Sequence, residues 1–135
     1  MTLHTHTFKK VEHICSKKQI DALFTKGGSK AMTAYPIRVV YRLYQQPEAP
    51  QPHAQVLISV PKKHFKRAVK RNRVKRQIRE AYRLQKQLLL TNLPPEQHID
   101  LAFIWISDDL APTDTVMERT HLLLTRLAER LSTKE

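Results

Sequence analysis

The stretch AQVLISVPKKHFKRAVKRNRVKRQIREAYR, residues 54–83, predicts a buried strand, a short basic loop and then a long helix. Its first seven residues form an apolar run of strand length, and the later residues repeat their apolar positions at helical spacing. At about 100° per residue, residues 72–89 separate into two sides. The side expected to pack on a sheet carries Val74, Ile78, Ala81, Gln85 and Leu88, with Tyr82 and Leu89 at its margin. The opposite, polar side carries Asn72, Lys75, Arg76, Arg79, Arg83 and Lys86.

The segments that flank this stretch predict further strands and helices. A short helix is expected within CSKKQIDALFTKG, residues 15–27. The chain then alternates as a strand to Leu43, after a short extra strand near Lys30. In this strand one side is formed by Tyr35, Ile37, Val39, Tyr41 and Leu43. A long hairpin through the proline-rich residues 45–53 is the simplest connection to AQVLISV.

The C-terminal third supplies one more strand and one more helix. IDLAFIWI, residues 99–106, is apolar almost throughout, which favours a central strand buried on both faces. Residues 113–131 form the last helix. The predicted fold is a single-domain α+β sandwich in the order α-β-β-β-α-β-α. We assign residues 12–131 to this domain, residues 1–11 to a flexible N-terminal tail and residues 132–135 to a C-terminal tail.

The positive charge of the chain is concentrated in one segment. The net charge is +12, and residues 62–83 hold eleven of the 24 lysines and arginines but a single acid, Glu80. A solvated surface helix usually mixes both signs at four-residue spacing, because like charges repel there. A one-signed cluster instead attracts a polyanion, and nucleic acid is the common one. The absence of a helix-turn-helix pair or a zinc-ligand set favours RNA over DNA.

Other features of the sequence limit the possible functions. A single cysteine, Cys15, cannot form an internal disulfide, and the N-terminus lacks a signal-peptide core. We therefore expect a cytoplasmic protein without a membrane span. No set of residues in the sequence predicts a catalytic centre or a metal site on the chain itself.

Within residues 58–83 the sequence resembles the protein subunit of bacterial ribonuclease P. That family has a strand that ends in Ser-Val-x-Lys-Lys, followed by Ala-Val-x-Arg-Asn-x-x-Lys-Arg at the start of a helix. The matching residues here are Ser59, Val60, Lys62, Lys63, Ala68, Val69, Arg71, Asn72, Lys75 and Arg76. The first helix also resembles the family's, through Phe24 and Gly27, but Ile20 stands where the family commonly has an aromatic residue.

The resemblance implies a protein cofactor that helps a catalytic RNA remove the 5′ leader of precursor tRNA. It implies that the RNA holds the Mg²⁺ ions and performs the hydrolysis, and that a left-handed crossover carries the basic helix. We assign RNA contact to Lys62, Lys63, Lys66, Arg67, Arg71, Asn72, Arg73, Lys75, Arg76, Arg79 and Arg83. The resemblance places Phe24 and Tyr41 in a leader cleft between the sheet and the first helix. A non-enzymatic RNA-binding or ribosome-associated protein with the same basic helix is the alternative.

Overall fold

The computed structural model of the chain describes residues 12–14, 17–24, 29–45, 54–94 and 97–132. Its elements are α1 (Lys17–Phe24), β1 (Ser29–Ala34), β2 (Ile37–Gln45), β3 (Ala54–Ser59), α2 (Ala68–Gln85), α3 (Gln87–Leu90), β4 (Gln97–Trp105) and α4 (Thr113–Ser132). The predicted α+β sandwich is confirmed, with the short α3 as an addition. The predicted N-terminal tail and Gly27 lie outside the described residues, and α4 extends into the predicted C-terminal tail as far as Ser132.

The four strands form one sheet in the order β1-β2-β4-β3. Strand β4 is antiparallel to β2 and parallel to β3, so the predicted hairpin between β2 and β3 is wrong. The physical reason is that β4 is apolar on both faces, and a strand of that kind is most stable between two neighbours. The predicted central position of residues 99–106 is thereby confirmed for the strand itself, which ends at Trp105.

The helices divide between the two faces of the sheet. Helices α2, α3 and α4 cover one face, where Tyr82, Phe103 and Trp105 are among the largest buried side chains. Helix α1 covers part of the other face, where Leu23 packs with Val40 and Ala102. We call this second face the α1 side of the sheet. None of the helices among the described residues has the length and apolar character needed to cross a membrane.

Helix α2 lies on the crossover that joins the parallel strands β3 and β4. Parallel neighbours require such a crossover, because a tight turn reverses the chain direction and can join only antiparallel strands. The crossover implied by the family resemblance is therefore present, and its left hand stays a prediction. This connection places the basic loop and the basic helix next to each other on the surface of the domain.

The helical wheel was correct for the centre of α2 and wrong at its end. Val74, Ile78 and Ala81 are fully buried, as predicted. Beyond Gln85 the helix is interrupted at Lys86, and the new turn leaves Leu88 36% exposed rather than packed on the sheet.

Lys86, which the wheel placed on the cationic side, is buried to 4% exposure. Its Nζ donates hydrogen bonds to both carboxylate oxygens of Glu12, each at 2.9 Å. This pairing explains how the interruption of the helix can turn a lysine inward, since a buried ammonium requires an opposite charge. The ion pair also ties the segment that precedes α1 to the junction of α2 and α3.

Candidate nucleic-acid interface

The structure brings all eleven residues assigned to RNA contact together on α2 and the loop that precedes it. The set gains Lys70, an exposed residue in the first turn of α2 that the sequence assignment omitted. We call the complete set the basic surface, and it consists of Lys62, Lys63, Lys66, Arg67, Lys70, Arg71, Asn72, Arg73, Lys75, Arg76, Arg79 and Arg83. All of these side chains are exposed except Arg71, Lys75 and Arg83, which are half-buried.

Two apolar residues near the basic surface have opposite environments. Phe65 lies in the loop but is only 6% exposed, so it fills the core and offers no stacking surface. Val69 lies in the first turn of α2 and is 77% exposed among the cations. An apolar side chain that stands out among charges adds a contact surface for the apolar parts of a ligand.

Arg71 organises the loop from within the basic surface. Its Nη1 donates to the carbonyl oxygens of Phe65 at 2.8 Å and Lys66 at 2.9 Å. The loop also closes on itself, because the amide of His64 donates to the carbonyl of Pro61 at 3.1 Å. Arg71 therefore fixes the backbone that carries the loop lysines, in addition to the charge that it contributes.

His64 joins this loop to the connection between β4 and α4. Its Nδ1 lies 2.7 Å from Oδ1 of Asp108, and its side chain is 12% exposed. Asp108 itself is exposed. The contact holds the basic loop against the body of the domain, so the loop lysines keep a defined position relative to α2.

The N-terminus of α2 favours an anion. Arg67 occupies the N-cap position without a side-chain cap, and the first turn holds no acidic residue. A helix N-terminus carries a partial positive charge and unpaired amide donors, so nearby cations are repelled there and a phosphate is stabilised. Lys66, Arg67 and Lys70 add to this field rather than offset it.

Glu80 is the single acid within α2, and it forms an ion pair on the surface. Arg83 donates to its two carboxylate oxygens from Nε at 3.0 Å and from Nη2 at 2.8 Å. These hydrogen bonds lower the pKa of Glu80 and raise the pKa of Arg83. The charge of Arg83 is thus partly offset, and the strongest positive field lies nearer the N-terminal half of α2.

The α1 side of the sheet differs from the expectation at Tyr41. Phe24 is 51% exposed at the end of α1, but Tyr41 is 3% exposed and lies on the opposite face of the sheet. Its hydroxyl there accepts a hydrogen bond from Nη1 of Arg130 on α4 at 2.7 Å. Ile20 packs on the apolar residues of the α1 side, so it acts as part of the core.

Tyr44 is the tyrosine that β2 presents on the α1 side, three residues beyond Tyr41. Its hydroxyl donates to Oδ1 of Asp100 at 3.4 Å. Burial, together with the negative charge of Asp100, raises the pKa of Tyr44 to about 12. Sequence reasoning missed Tyr44 and Asp100, although an aspartate inside an apolar strand was the available signal.

The raised pKa of Tyr44 predicts a loss of stability at high pH. The folded chain holds the phenol proton more tightly than the unfolded chain, whose tyrosines titrate near pH 10. The contribution of Tyr44 to the free energy of unfolding is therefore constant below pH 10 and is lost as the pH rises from about 10 to about 12. Because Tyr44 is half-exposed, solvent screening reduces the effect, and we expect the free energy of unfolding to fall by about 1 kcal/mol. Urea unfolding at several pH values measures this fall in stability. The fall should be smaller in Tyr44→Phe, which has no phenol to titrate. An equal fall in Tyr44→Phe and the wild type would show that Tyr44 is not its cause.

Similarity to known proteins decides the family. A family model described as Ribonuclease P matches residues 8–126. The chain belongs to the ribonuclease P protein family. The resemblance found in the basic loop and helix is thus confirmed over most of the chain. As a ribonuclease P protein, the chain belongs with the protein components of an endoribonuclease complex.

Relatives and a solved structure support the assignment to the ribonuclease P protein family. The ribonuclease P protein component of Porphyromonas gingivalis is 43% identical over 125 residues, which cover 92% of this chain and 88% of that protein. The component from Chlorobium phaeobacteroides is 35% identical over 111 residues, covering 77% and 75% of the two chains. The ribonuclease P protein of Thermotoga maritima has a similar fold, with a TM-score of 0.64 and 22% identity over 85% of this chain and 96% of that one.

The family's motif residues occupy two elements and the loop between them. Ser59 ends β3, Lys62 and Lys63 lie in the loop, and Asn72 and Arg76 lie on α2. No three His, Cys, Asp or Glu side chains within the described ranges come together as a metal-binding group. The ribonuclease P motif therefore coincides with the basic surface, which is the part of the domain best suited to bind phosphates.

Proposed function

We propose that the chain is the protein cofactor of ribonuclease P and promotes removal of the 5′ leader from precursor tRNA. The observation that carries this proposal is the basic surface itself, where cations from α2 and the preceding loop form one exposed face. The proposed ligand of this surface is the catalytic RNA. The proposed place of action is the cytoplasm.

The shape of the basic surface suits a structured RNA. Helix α2 has 18 residues and is about 27 Å long at 1.5 Å per residue, so its cations can contact several successive phosphates. Six of the eleven residues assigned from the sequence are arginines, whose planar guanidinium groups bind phosphate oxygens in pairs. The N-terminus of α2, which has no acid and no side-chain cap, adds a further position for a phosphate.

The α1 side of the sheet is the proposed site for the single-stranded leader. Single strands bind where aromatic rings accept stacked bases and cations follow the backbone. Phe24 offers an exposed ring at the end of α1, and Tyr44 offers a second, partly exposed ring on β2. Because Tyr41 is buried on the other face, we transfer its proposed stacking role to Tyr44.

We propose that hydrolysis and its Mg²⁺ ions belong to the RNA subunit, and that this chain binds and orients. The basic segment has an excess of ten positive charges over residues 62–83, which repels divalent cations and attracts phosphates. Bound beside the RNA, these cations lower the repulsion between the catalytic RNA and precursor tRNA. Fewer Mg²⁺ ions are then needed to bring the two RNAs together.

Reconstitution tests this proposal. Added to the cognate catalytic RNA, the full chain should lower the Mg²⁺ concentration at which precursor tRNA is cleaved, because protein cations replace part of the counterion requirement. The measurement is the cleavage rate across a Mg²⁺ titration, with competing duplex DNA at physiological salt as the control for general polyanion binding. An unchanged Mg²⁺ requirement and unchanged leader affinity would reject the proposal. Copurification with ribosomes alone would then favour the alternative of a ribosome-associated protein.

A further inference from the structure

Asp100 is a buried carboxylate at the centre of the α1 side. It is 0% exposed, in a strand that is otherwise mainly apolar. Its Oδ1 lies 3.1 Å from Nε2 of His98 and accepts hydrogen bonds from the Tyr44 hydroxyl and from Nε2 of Gln19, both at 3.4 Å. These three partners belong to β4, β2 and α1. One carboxylate oxygen therefore connects two strands of the sheet to the helix that covers them.

The second oxygen of Asp100 makes the residue costly for stability. Oδ2 is buried and has no hydrogen-bond partner among the described residues. A buried acceptor without a partner destabilises a fold, whereas an apolar residue of similar size would not. Departures of this kind from good packing are typical of functional positions. The position of Asp100 is therefore best explained by the residues that its carboxylate holds in place.

Tyr44 is hydrogen-bonded to Asp100 through its hydroxyl, and Arg42 lies over the Tyr44 ring. The Arg42 Cζ lies 4.6 Å from the centroid of the Tyr44 ring. The Tyr44 ring is also 4.8 Å from the His98 ring, at an interplanar angle of 45°. Arg42 is the cross-strand partner of Asp100, so both lie on the α1 side. Both Arg42 and Tyr44 are partly exposed.

We propose that Asp100 is a positioning residue, which fixes the Tyr44 ring so that Tyr44 and Arg42 together bind one nucleotide of a single-stranded RNA. This inference rests on the proposed leader-binding role of the α1 side. The ring and the guanidinium plane are both surfaces on which a base stacks, and the guanidinium also binds the adjacent phosphate. With its hydroxyl held by Asp100, the ring is ordered before the nucleotide arrives, so less conformational entropy is lost on binding.

The test uses holoenzyme reconstituted from the full chain and its cognate catalytic RNA. Asp100→Asn keeps the shape of the side chain and removes its charge, while Tyr44→Phe keeps the ring and removes the hydroxyl. For both variants we expect precursor tRNA to bind about two- to tenfold more weakly, because the ring is kept but must be ordered on binding. Binding of tRNA without a leader, and binding of the catalytic RNA, should stay unchanged. Equal affinity of both variants and the wild type for precursor tRNA would overturn the proposal.

A matched pair of charge deletions separates a nucleotide site from a general cationic field. Arg42→Ala and Arg38→Ala each remove one arginine from the same strand and the same side of the sheet, but only Arg42 lies over Tyr44. The site predicts a loss of leader affinity for Arg42→Ala that is severalfold larger than that for Arg38→Ala. Equal losses would show that the α1 side acts through its charge alone, and the proposed nucleotide site of Tyr44 and Arg42 would be rejected.

A readout without RNA tests the positioning step by itself. Tyrosine side-chain NMR, with Tyr44 assigned through Tyr44→Phe, follows the titration of its phenol. In Asp100→Asn the Tyr44 pKa should fall from about 12 toward 10, because a negative charge beside the phenolate is removed. A Tyr44 pKa that does not change would show that Asp100 does not hold the ring. If wild-type holoenzyme fails to cleave precursor tRNA while the Tyr44 pKa does fall, the proposed function is at fault and the contact between Asp100 and Tyr44 stands.

Discussion

A chain carrying Lys75→Glu and Arg76→Glu should bind the catalytic RNA of ribonuclease P about a hundredfold more weakly at low salt. Both residues lie on the basic side of α2, and neither belongs to its buried side. A charge-assisted contact contributes about 1.5 kcal/mol or more, and 1.4 kcal/mol corresponds to a tenfold change in affinity. Two lost contacts therefore give about two orders of magnitude. Filter binding or fluorescence anisotropy across a salt series measures the effect.

The salt series also shows whether phosphates are the partners. Each lost phosphate contact lowers the slope of log affinity against log salt by about 0.7 to 0.9, so the slope of the double variant should be smaller by about 1.4 to 1.8. The matched control is Lys30→Glu with Arg126→Glu, which changes the net charge equally at two exposed positions on β1 and α4. Its affinity should fall much less. An equal fall in both double variants would mean that net charge, and not the basic surface, governs RNA binding.

Removal of one partner from the ion pair between Glu12 and Lys86 should cause the second large effect, a loss of about 3 kcal/mol in the free energy of unfolding. The Lys86 side chain is 5% exposed and that of Glu12 is 17% exposed. In Glu12→Gln the ammonium group stays buried without its carboxylate, and that desolvation is no longer compensated. Urea denaturation of the variant and the wild type at neutral pH measures the change.

The double variant Glu12→Gln/Lys86→Met distinguishes a buried charge from ordinary lost packing. Methionine fills much of the volume of the lysine stem without a charge, so the double variant should recover most of the stability that Glu12→Gln loses. Affinity for the catalytic RNA should remain close to wild type in the double variant, because Lys86 lies off the exposed basic surface. This account would be contradicted if the double variant lost as much free energy of unfolding as Glu12→Gln and Lys86→Met lose together.

The parts of the fold that follow from repeating patterns were predictable from the sequence. The helical period identified Val74, Ile78 and Ala81 as buried, and the run of apolar residues around Phe103 identified the central strand. A period does not continue through a break in a helix, however. The burial of Lys86 at this break is compensated by a carboxylate 74 residues earlier, and a local pattern holds no information about that contact.

Tyr41 shows how two kinds of sequence argument can disagree. Strand alternation grouped Tyr41 with Ile37 and Val39 on one face, whereas the family resemblance assigned it to the leader cleft. The structure agrees with the alternation and places Tyr44 on the α1 side instead. The order of the strands in the sheet could not be predicted from local patterns either. The length of the connection between β2 and β3 does not show that β4 lies between them.

The position of β4 determines when the basic surface can form during folding. Strands β2 and β3 have no direct pairing, so the sheet joins only after residues 97–105 pair with both. Until then α2 has an incomplete apolar layer to pack on, while its cations repel one another along the helix. Long-range pairings of this kind slow a folding step, and an RNA ligand that bound only the finished domain would draw the equilibrium toward it. A chain that has not yet placed β4 between its neighbours therefore offers the RNA no ordered surface.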